Sequence, residues 1–318
     1  MRHYRYSFQY ALATGSLTLP AAIVMSALIW VAAEAGCGHL LRWQSLGSLA
    51  ALAFIAYSLI EINTIYSFIR TRTSFHTSLF LLLYTAAPFL YIHGYSYAVP
   101  CLLLIVLGMI FSCFENKHAS KAVFNSFLAL GLITLMDPYF IWMVPVLYLM
   151  LGYMRSLGGK TFFAGLMGVC LPYWFLWGYA AFTGDYSVIV PRLRAFILFS
   201  PIDYSCLGPD RIATWGAVLL LSIVSGIHTY VSSYKEKVHT RLMLHVVIIS
   251  QVCANLMLLL QPAHFNALLS VQTVLCAITT GYMFSLTFTA ATRIFTFVTA
   301  ALWVALCTLN LWTHLSNC

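Results

Sequence analysis

Residues 121–160 read KAVFNSFLALGLITLMDPYFIWMVPVLYLMLGYMRSLGGK, and their two apolar arms meet at Asp137-Pro138. Each arm, 123–136 and 139–154, has about fifteen residues, whereas a helix needs roughly 20 to cross the hydrocarbon core of a bilayer. A carboxylate is costly at membrane depth, so Asp137 is expected either to reach the far surface or to face a polar cavity. Both interpretations make Asp137 a candidate site residue.

The composition indicates that the whole chain belongs in a membrane. Of its 318 residues, 62% are hydrophobic and 8% are charged, against about 45–50% and about 25% in soluble domains. The net charge of +8 does not indicate nucleic-acid binding, because the basic residues fall in short connections between apolar segments. We therefore predict an all-α, polytopic membrane helix bundle in which residues 1–318 form a single transmembrane domain.

Eleven apolar segments are predicted to be transmembrane helices, with the two short arms counted as separate crossings. The segments cover residues 10–33, 46–69, 74–92, 98–114, 123–136, 139–154, 161–182, 212–234, 242–260, 266–286 and 294–312. If the hairpin 123–154 re-enters the membrane instead of crossing it twice, nine spans remain and no other assignment changes. We favour two complete crossings, in which Tyr139, Phe140 and Trp142 would form an aromatic belt at the interface.

The orientation follows from the positions of the basic residues, because lysine and arginine are enriched in cytoplasmic loops. With the N-terminus in the cytoplasm, twelve basic residues lie inside and four lie outside. The four are Arg42, Arg192, Arg194 and Arg211. The sequence thus predicts a cytoplasmic N-terminus and a C-terminus on the outer side, whether or not the hairpin crosses the membrane.

The longest connection, residues 183–211, lies on the predicted outer side. Its segment 191–199, PRLRAFILF, is predicted to form a short helix in the interface, with apolar side chains toward the acyl chains. Arg192 and Arg194 would then reach for lipid phosphates. Because they are two residues apart on a helix, we expect at most one of them to point at a site.

Three polar side chains inside predicted spans are candidate binding residues. Glu61 belongs to a polar patch whose other members are Tyr57, Ser58 and Thr64. We expect this patch to face other helices, either as a proton or cation site or as a hydrogen-bonded node. Gln251 and Asn255 are four residues apart on the ninth span, and such amides more often join helices than bind substrates.

Neither a metal site nor a cofactor is predicted. The ten histidines are spread over both sides of the membrane without an HxxxH or HExxH pair, and the nine cysteines contain no CxxC pair. Most cysteines lie in apolar runs, where cysteine behaves as a small hydrophobic residue. Cys37, Cys206 and Cys318 share the predicted outer side, where two of them can form a disulfide.

Two stretches resemble a family of uncharacterised polytopic bacterial cell-envelope membrane proteins. Residues 61–91, EINTIYSFIRTRTSFHTSLFLLLYTAAPFLY, have an asparagine on a span, then basic residues, then a span that ends near Ala-Pro-Phe. Residues 136–185, MDPYFIWMVPVLYLMLGYMRSLGGKTFFAGLMGVCLPYWFLWGYAAFTGD, have an apolar hairpin, a cytoplasmic arginine and then Gly-x-x-x-Pro. The resemblance implies a multi-pass protein of the bacterial inner membrane with no established activity.

Some members of that family are labelled beta-carotene 15,15'-monooxygenase. Carotenoid-cleaving enzymes need an iron held by a cluster of histidines, which this sequence does not supply at one depth. We therefore do not adopt that activity.

Two functions fit these features. The first is a non-enzymatic inner-membrane component, either a transporter or a subunit of an envelope assembly or secretion machine, as the short loops and short arms indicate. The alternative is a glycosyltransferase- or polymerase-like enzyme acting at the outer leaflet on a polyprenyl-phosphate-linked donor. It would use Asp137 or Asp203 as general base or metal ligand, while Arg192, Arg194 and Arg211 held the phosphate.

The first function is favoured because such enzymes usually carry an acidic residue in their first outer loop, where this chain has only Glu34 at the edge of a span. The expected partners are membrane lipids, polyprenyl phosphate among them, and other membrane protein subunits, but no nucleic acid.

Overall fold

The computed structural model describes residues 8–36, 43–67, 69, 73–91, 96–196, 202–205 and 207–317. This part of the chain contains thirteen α-helices and several short 3-10 helices, and no β-strand. The helices are α1 Phe8–Thr14, α2 Thr18–Gly36, α3 Trp43–Tyr66, α4 Phe75–Thr85, α5 Ala98–Phe111, α6 Ser120–Met136, α7 Met143–Tyr153, α8 Gly159–Thr183, α9 Val190–Ala195, α10 Pro209–Ser232, α11 Val238–Leu260, α12 Phe265–Leu286 and α13 Ala290–Asn317. The prediction of an all-helical protein is confirmed over these residues.

Seven of the described helices are long and apolar enough to cross a membrane, and four shorter apolar helices accompany them. Large apolar side chains are exposed along them; Phe182 is 92% exposed and Trp174 is 77% exposed. Contiguous apolar surface of this kind is rare on soluble monomers but is what contact with lipid requires. The chain is therefore compatible with a helical membrane protein, while the number of crossings and their orientation stay predictions.

The first predicted span, residues 10–33, is interrupted near its start, and the helix long enough to cross a membrane is α2, Thr18–Gly36. In a continuous helix the ring of Pro20 would clash with the carbonyl of Ser16. The chain instead leaves the helical conformation after Thr14 and restarts at Thr18. This restart puts Pro20 in the first turn of α2, where a backbone N–H has no partner within the helix anyway.

The third predicted span, residues 74–92, is also interrupted. α4 ends at Thr85, and Ala87 leaves the helical conformation, with φ −121° and ψ 80°, before the 3-10 helix Pro88–Leu90. A proline disfavours the helical conformation in the residue before it, so Pro88 ends the helix early. An eleven-residue α-helix therefore occupies most of this segment.

The chain divides into two compact units, each built from apolar helices. Unit 1 is drawn from residues 1–97, 204–255 and 266–318, and unit 2 from residues 98–203 and 256–265. The prediction of a single transmembrane domain stays a prediction.

Unit 1 is organised around α12, whose whole apolar window is buried. The start of α4 packs directly against this helix. A Cβ placed on Gly281 of α12 would lie only 2.7 Å from the Cα of His76. Only glycine permits an approach this close between two backbones, which is a common device in membrane helix packing.

Unit 2 is organised around the contact between α6 and α8. A Cβ on Gly168 of α8 would lie 2.5 Å from the backbone oxygen of Phe124, and a Cβ on Gly131 of α6 would lie 3.0 Å from the ring of Pro172. α8 ends at Gly184, whose φ of 72° is the left-handed conformation that commonly terminates helices. The outer loop predicted at 183–211 begins there.

Candidate functional site

Asp137 and His264 form a close pair in unit 2, with 2.6 Å between Asp137 Oδ1 and His264 Nδ1. Asp137 is the residue at which α6 ends and the 3-10 helix Pro138–Trp142 begins. His264 closes another 3-10 helix, Pro262–His264, between α11 and α12. A proline at the first position of each turn ends the preceding helix and fixes the change of direction, so both side chains sit on rigid turns.

The pair is mostly buried but still reachable. The Asp137 side chain is 9% exposed and that of His264 is 25% exposed. The ring of Tyr139 packs on the imidazole, with 4.2 Å between ring centroids. The two atoms lie at ion-pair distance, although Asp137 Oδ1 accepts no hydrogen bond of good geometry from the described residues. With Nδ1 toward the carboxylate, the other ring nitrogen, Nε2, is left to act as an acid or a base.

The sequence indicated Asp137 as a candidate site residue but gave no such indication for His264. The two residues are far apart in the chain and belong to different apolar segments. One signal was present: Asp137-Pro138 and Gln261-Pro262 are both polar-proline breaks between apolar helices, assigned to the same predicted side. Comparing the polar-proline breaks assigned to one side would have suggested that Asp137 and His264 lie close together.

A groove of about 590 Å³ in unit 2, here called the α9 groove, adjoins the same 3-10 helix. Its walls come from Pro138–Trp142, α7, α8 and α9. They include Ile141, Trp142, Val169, Tyr173, Leu193 and Phe196. Its volume lies within the range of about 300–1,000 Å³ that is typical of ligand pockets.

The short helix predicted at 191–199 is present as α9, Val190–Ala195, with Phe196 as its cap; residues 197–200 lie outside the described residues. Leu193 and Phe196, three residues apart, line the α9 groove. The ring of Phe196 meets Tyr173 edge to face, with 5.4 Å between centroids. α9 therefore closes one side of the groove with its apolar face, and its position in the membrane interface stays a prediction.

The two arginines of α9 have different surroundings. Arg192 donates from Nη1 to the backbone oxygen of Val188 at 3.2 Å and lies near enough to Tyr173 to interact electrostatically with it. Arg194 is exposed, and no contact of that kind ties it to the groove among the described residues. At most one of the two arginines was expected to face a site, and these surroundings favour Arg192.

The other acidic and basic candidates of the outer loop are divided between the units. Asp203 is exposed and belongs to unit 2. Arg211 belongs to unit 1, where its guanidinium carbon lies 5.6 Å from the centroid of the Phe89 ring. A cation over an aromatic face is a favourable contact, so Arg211 has a structural role in unit 1. Its participation in a phosphate site with Asp137 stays a prediction.

The prediction that the Glu61 patch faces other helices does not hold in the described part of the chain. Glu61 is exposed, and Tyr57 beside it is 64% exposed. The buried face of α3 is apolar instead, with Ile55 and Leu59 almost completely covered. One polar residue near this end of α3 that bonds beyond the helix is Asn63, whose Oδ1 accepts from the backbone N–H of residue 69 at 3.1 Å.

Gln251 and Asn255 of α11 both line a second groove, which belongs to unit 1. Asn255 joins α11 to α10, because its Nδ2 donates to Ser222 Oγ at 3.2 Å. The side chain of Gln251 makes no such bond to the described residues. The prediction that these amides join helices is thus confirmed for Asn255 alone.

Glu34 of α2 is a buried acid whose burial the sequence did not indicate. It has no exposed surface, and Ser45 Oγ donates to its Oε2 at 2.8 Å. Ser48, one turn further along α3, accepts a hydrogen bond from Trp30 Nε1. This cluster joins the end of α2 to the start of α3, so Glu34 is a node between two helices of unit 1.

Within the described ranges, no group of three or more His, Cys, Asp or Glu side chains is arranged to hold a metal ion. Cys37, Cys206 and Cys318, the candidates for a disulfide, lie outside the described residues. A comparison of the chain with protein-family models, curated proteins and solved structures finds no match.

Proposed function

We propose that this protein is a non-enzymatic component of the bacterial inner membrane that binds an anionic lipid at the outer leaflet, in the service of transport or of an envelope assembly machine. The observation that carries the proposal is the α9 groove, an apolar space of ligand size with Arg192 beside it. Polyprenyl phosphate and phosphatidylglycerol are the two sources of such a lipid. The assignment to the bacterial inner membrane rests on the family resemblance of residues 61–184.

The chemistry of the groove supports a lipid with a charged head. A lipid tail is as apolar in the bilayer as it is in the groove, so moving it between them yields little free energy. Affinity must then come from shape and from the headgroup. A guanidinium forms strong, charge-assisted hydrogen bonds to phosphate, and the long side chain of Arg192 can reach the headgroup level while α9 lies in the interface.

Binding of lipids to the purified protein in detergent tests this proposal. Native mass spectrometry would compare polyprenyl phosphate, phosphatidylglycerol and uncharged polyprenol. We expect Arg192→Ala to weaken binding of the phosphorylated lipids by about tenfold, the effect of losing one hydrogen bond to a charged group. Arg194→Ala should change binding little, and polyprenol should bind equally to the wild type and to both arginine variants.

A second pair of variants tests the groove itself. Cys170 lines the α9 groove, so Cys170→Trp should fill it and reduce binding of every lipid tail. Phe163→Trp is the matched control, since Phe163 is 64% exposed on the same helix and does not line the groove. Unchanged binding in both Arg192→Ala and Cys170→Trp would disprove the proposal.

An enzymatic function is the second candidate, and the pair Asp137 and His264 favours it. Asp137 precedes Pro138–Trp142 directly, and Ile141 of that helix lines the α9 groove. At about 2 Å per residue in a 3-10 helix, the two positions are about 8 Å apart along the axis. A headgroup extending from the groove would therefore come within reach of the pair.

The reaction would be transfer of a sugar from a polyprenyl-phosphate-linked donor. Nε2 of His264 would take the proton of an acceptor hydroxyl, whose oxygen bonds to the anomeric carbon while the bond from that carbon to the phosphate oxygen breaks. Asp137 would hold the imidazole and stabilise its charged form. Transfer of a labelled sugar tests this candidate: loss of transfer in Asp137→Asn with lipid binding retained supports the enzyme, whereas wild-type activity in Asp137→Asn leaves the non-enzymatic function.

A further inference from the structure

The second groove, here called the α10–α11 groove, lies between those two helices of unit 1 and has a volume of about 350 Å³. Its apolar walls are mainly the aliphatic side chains of Ile223, Ile227, Ile248 and Val252, and Tyr230 also lines it. Ile227 is 62% exposed and Val252 is 52% exposed, so the groove opens toward the surface that faces lipid. Space remains because residue 226 is glycine: a Cβ there would meet only Gln251 Oε1, at 3.8 Å.

A buried amide without partners lies against this groove. Gln251 is 2% exposed, and neither Oε1 nor Nε2 has a hydrogen-bond partner among the described residues. Asn255 Oδ1 is also buried and has no hydrogen-bond partner among the described residues, whereas Asn255 Nδ2 donates to Ser222 Oγ. Buried polar atoms are almost always hydrogen-bonded in native proteins. In the hydrocarbon region no bulk water is present to satisfy them.

Helix joining does not account for Gln251. Asn255 connects α11 to α10 by its hydrogen bond to Ser222 Oγ. Gln251, one turn earlier on α11, makes no side-chain hydrogen bond to α10. Its Oε1 lies beside Gly226 of α10, where no side chain is present to bond it, and Gln251 lines the groove. The unsatisfied atoms therefore point to something that enters the groove.

The lining of the groove restricts the chemistry of that ligand. Among the described residues, no Lys, Arg, Asp or Glu side chain lines it, so a charged head would be buried without a counterion, which is costly. A carboxamide such as that of Gln251 offers a donor and an acceptor side by side. Its complement is a neutral group that also donates and accepts through adjacent atoms, carried on an apolar body that fits the aliphatic walls.

We propose that the α10–α11 groove binds a neutral, lipid-soluble molecule whose head is a carboxamide or a protonated carboxylic acid. Such a head forms two hydrogen bonds with Gln251, and a second N–H of a primary amide reaches Asn255 Oδ1. An ester of the same chain can only accept hydrogen bonds, so it satisfies one atom of Gln251 at most. This site lies in unit 1 and is independent of the anionic-lipid proposal for unit 2.

Photo-crosslinking of the full-length protein in detergent micelles tests the site. The probe is a sixteen-carbon primary amide that carries a diazirine in its chain, and the control probe is the methyl ester of the same chain. Labelled positions are mapped by mass spectrometry of peptides. We expect the amide to label α10 and α11 at least several-fold more than the ester.

Three variants make the result specific. Gln251→Leu removes both hydrogen-bonding atoms and should lower labelling by the amide probe about tenfold. The same variant should raise the melting temperature of the protein without probe, because a buried amide without hydrogen-bond partners is removed. Gly226→Leu fills the groove and should abolish labelling. Gly216→Leu is the matched control, since Gly216 lies on the same helix, a Cβ added to it would meet no atom within 4 Å, and it does not line the groove.

Equal labelling of these helices by the amide and the ester would overturn the proposal, as would wild-type labelling in Gln251→Leu. The melting temperature of each variant shows whether it folds. If one variant fails to fold, the comparison of the two probes on the wild-type protein still decides between recognition of the head and simple partition of the tail.

Discussion

Replacing Gly168 by alanine should destabilise unit 2, because this glycine lies where α8 touches the backbone of α6. The added Cβ would lie 2.5 Å from the backbone oxygen of Phe124 and 3.0 Å from the backbone nitrogen of Leu128. Both are backbone atoms, so no change of side-chain rotamer can relieve the contact. Since non-bonded carbon contacts are comfortable at about 3.5–4.0 Å, the helices would have to separate by about 1 Å.

The size of the effect can be bounded from two opposing terms. Inserting a methyl group into a tightly packed contact costs about 1–3 kcal/mol. Alanine also favours the helical conformation over glycine by about 0.8–1.0 kcal/mol. Gly178→Ala isolates the second term, because Gly178 is on the same helix with no atom within 4 Å of an added Cβ. The difference in free energy of unfolding between the two variants should therefore be about 1–3 kcal/mol.

The measurement is equilibrium unfolding of the purified protein in mixed micelles, with near-ultraviolet circular dichroism as the signal. Gly131→Ala provides a graded comparison: its Cβ would meet the Pro172 ring at 3.0 Å and the backbone oxygen of Val169 at 3.1 Å, so its cost should be smaller than that of Gly168→Ala. If Gly168→Ala were as stable as Gly178→Ala, α6 and α8 would not approach as closely as described and the reasoning would fail.

Two further predictions concern unit 1 and the orientation of the chain. Glu34→Gln should fold normally because an amide oxygen still accepts from Ser45. Glu34→Lys should sharply lower the yield of folded protein, because burying a cation inside a helix bundle is costly. Equal yields of the two variants would contradict this role of Glu34. A periplasmic reporter enzyme fused after Cys318 should be active and one fused after Lys237 should not, because the positive residues place these points on opposite sides; the reverse pattern would overturn the predicted orientation.

Much of the fold follows from hydropathy alone, because a helix that crosses lipid must be apolar along its length. The apolar segments of the sequence correspond to the described helices, including the short ones at 98–111 and 120–136. The errors arose at Pro20 and Pro88, where segments that were apolar throughout contain a break. A hydropathy value does not reflect the missing N–H or the ring clash of proline, although both prolines can be read directly from the sequence.

Whether Glu34 and Glu61 are buried was harder to predict. Glu61 has polar neighbours at helical spacing and is exposed, whereas Glu34 has alanine and glycine around it and is buried. In a soluble protein the apolar stripe of a helix identifies the buried face. In these helices every face is apolar, so periodicity carries little information about which side contacts protein. That is also why the contact between Asp137 and His264 was not foreseen.

The dimensions of the hairpin bear on where the pair Asp137 and His264 lies in the membrane. α6 has 17 residues, or about 26 Å at 1.5 Å per residue. The returning arm combines five residues of 3-10 helix with eleven of α-helix, or about 27 Å in all. Two arms of equal length, each slightly shorter than a hydrocarbon core of about 30 Å, favour complete crossings over a re-entrant loop. They would carry Asp137 to just beneath the interface, where the carboxylate is not fully hydrated and a histidine partner lowers the cost of keeping it there.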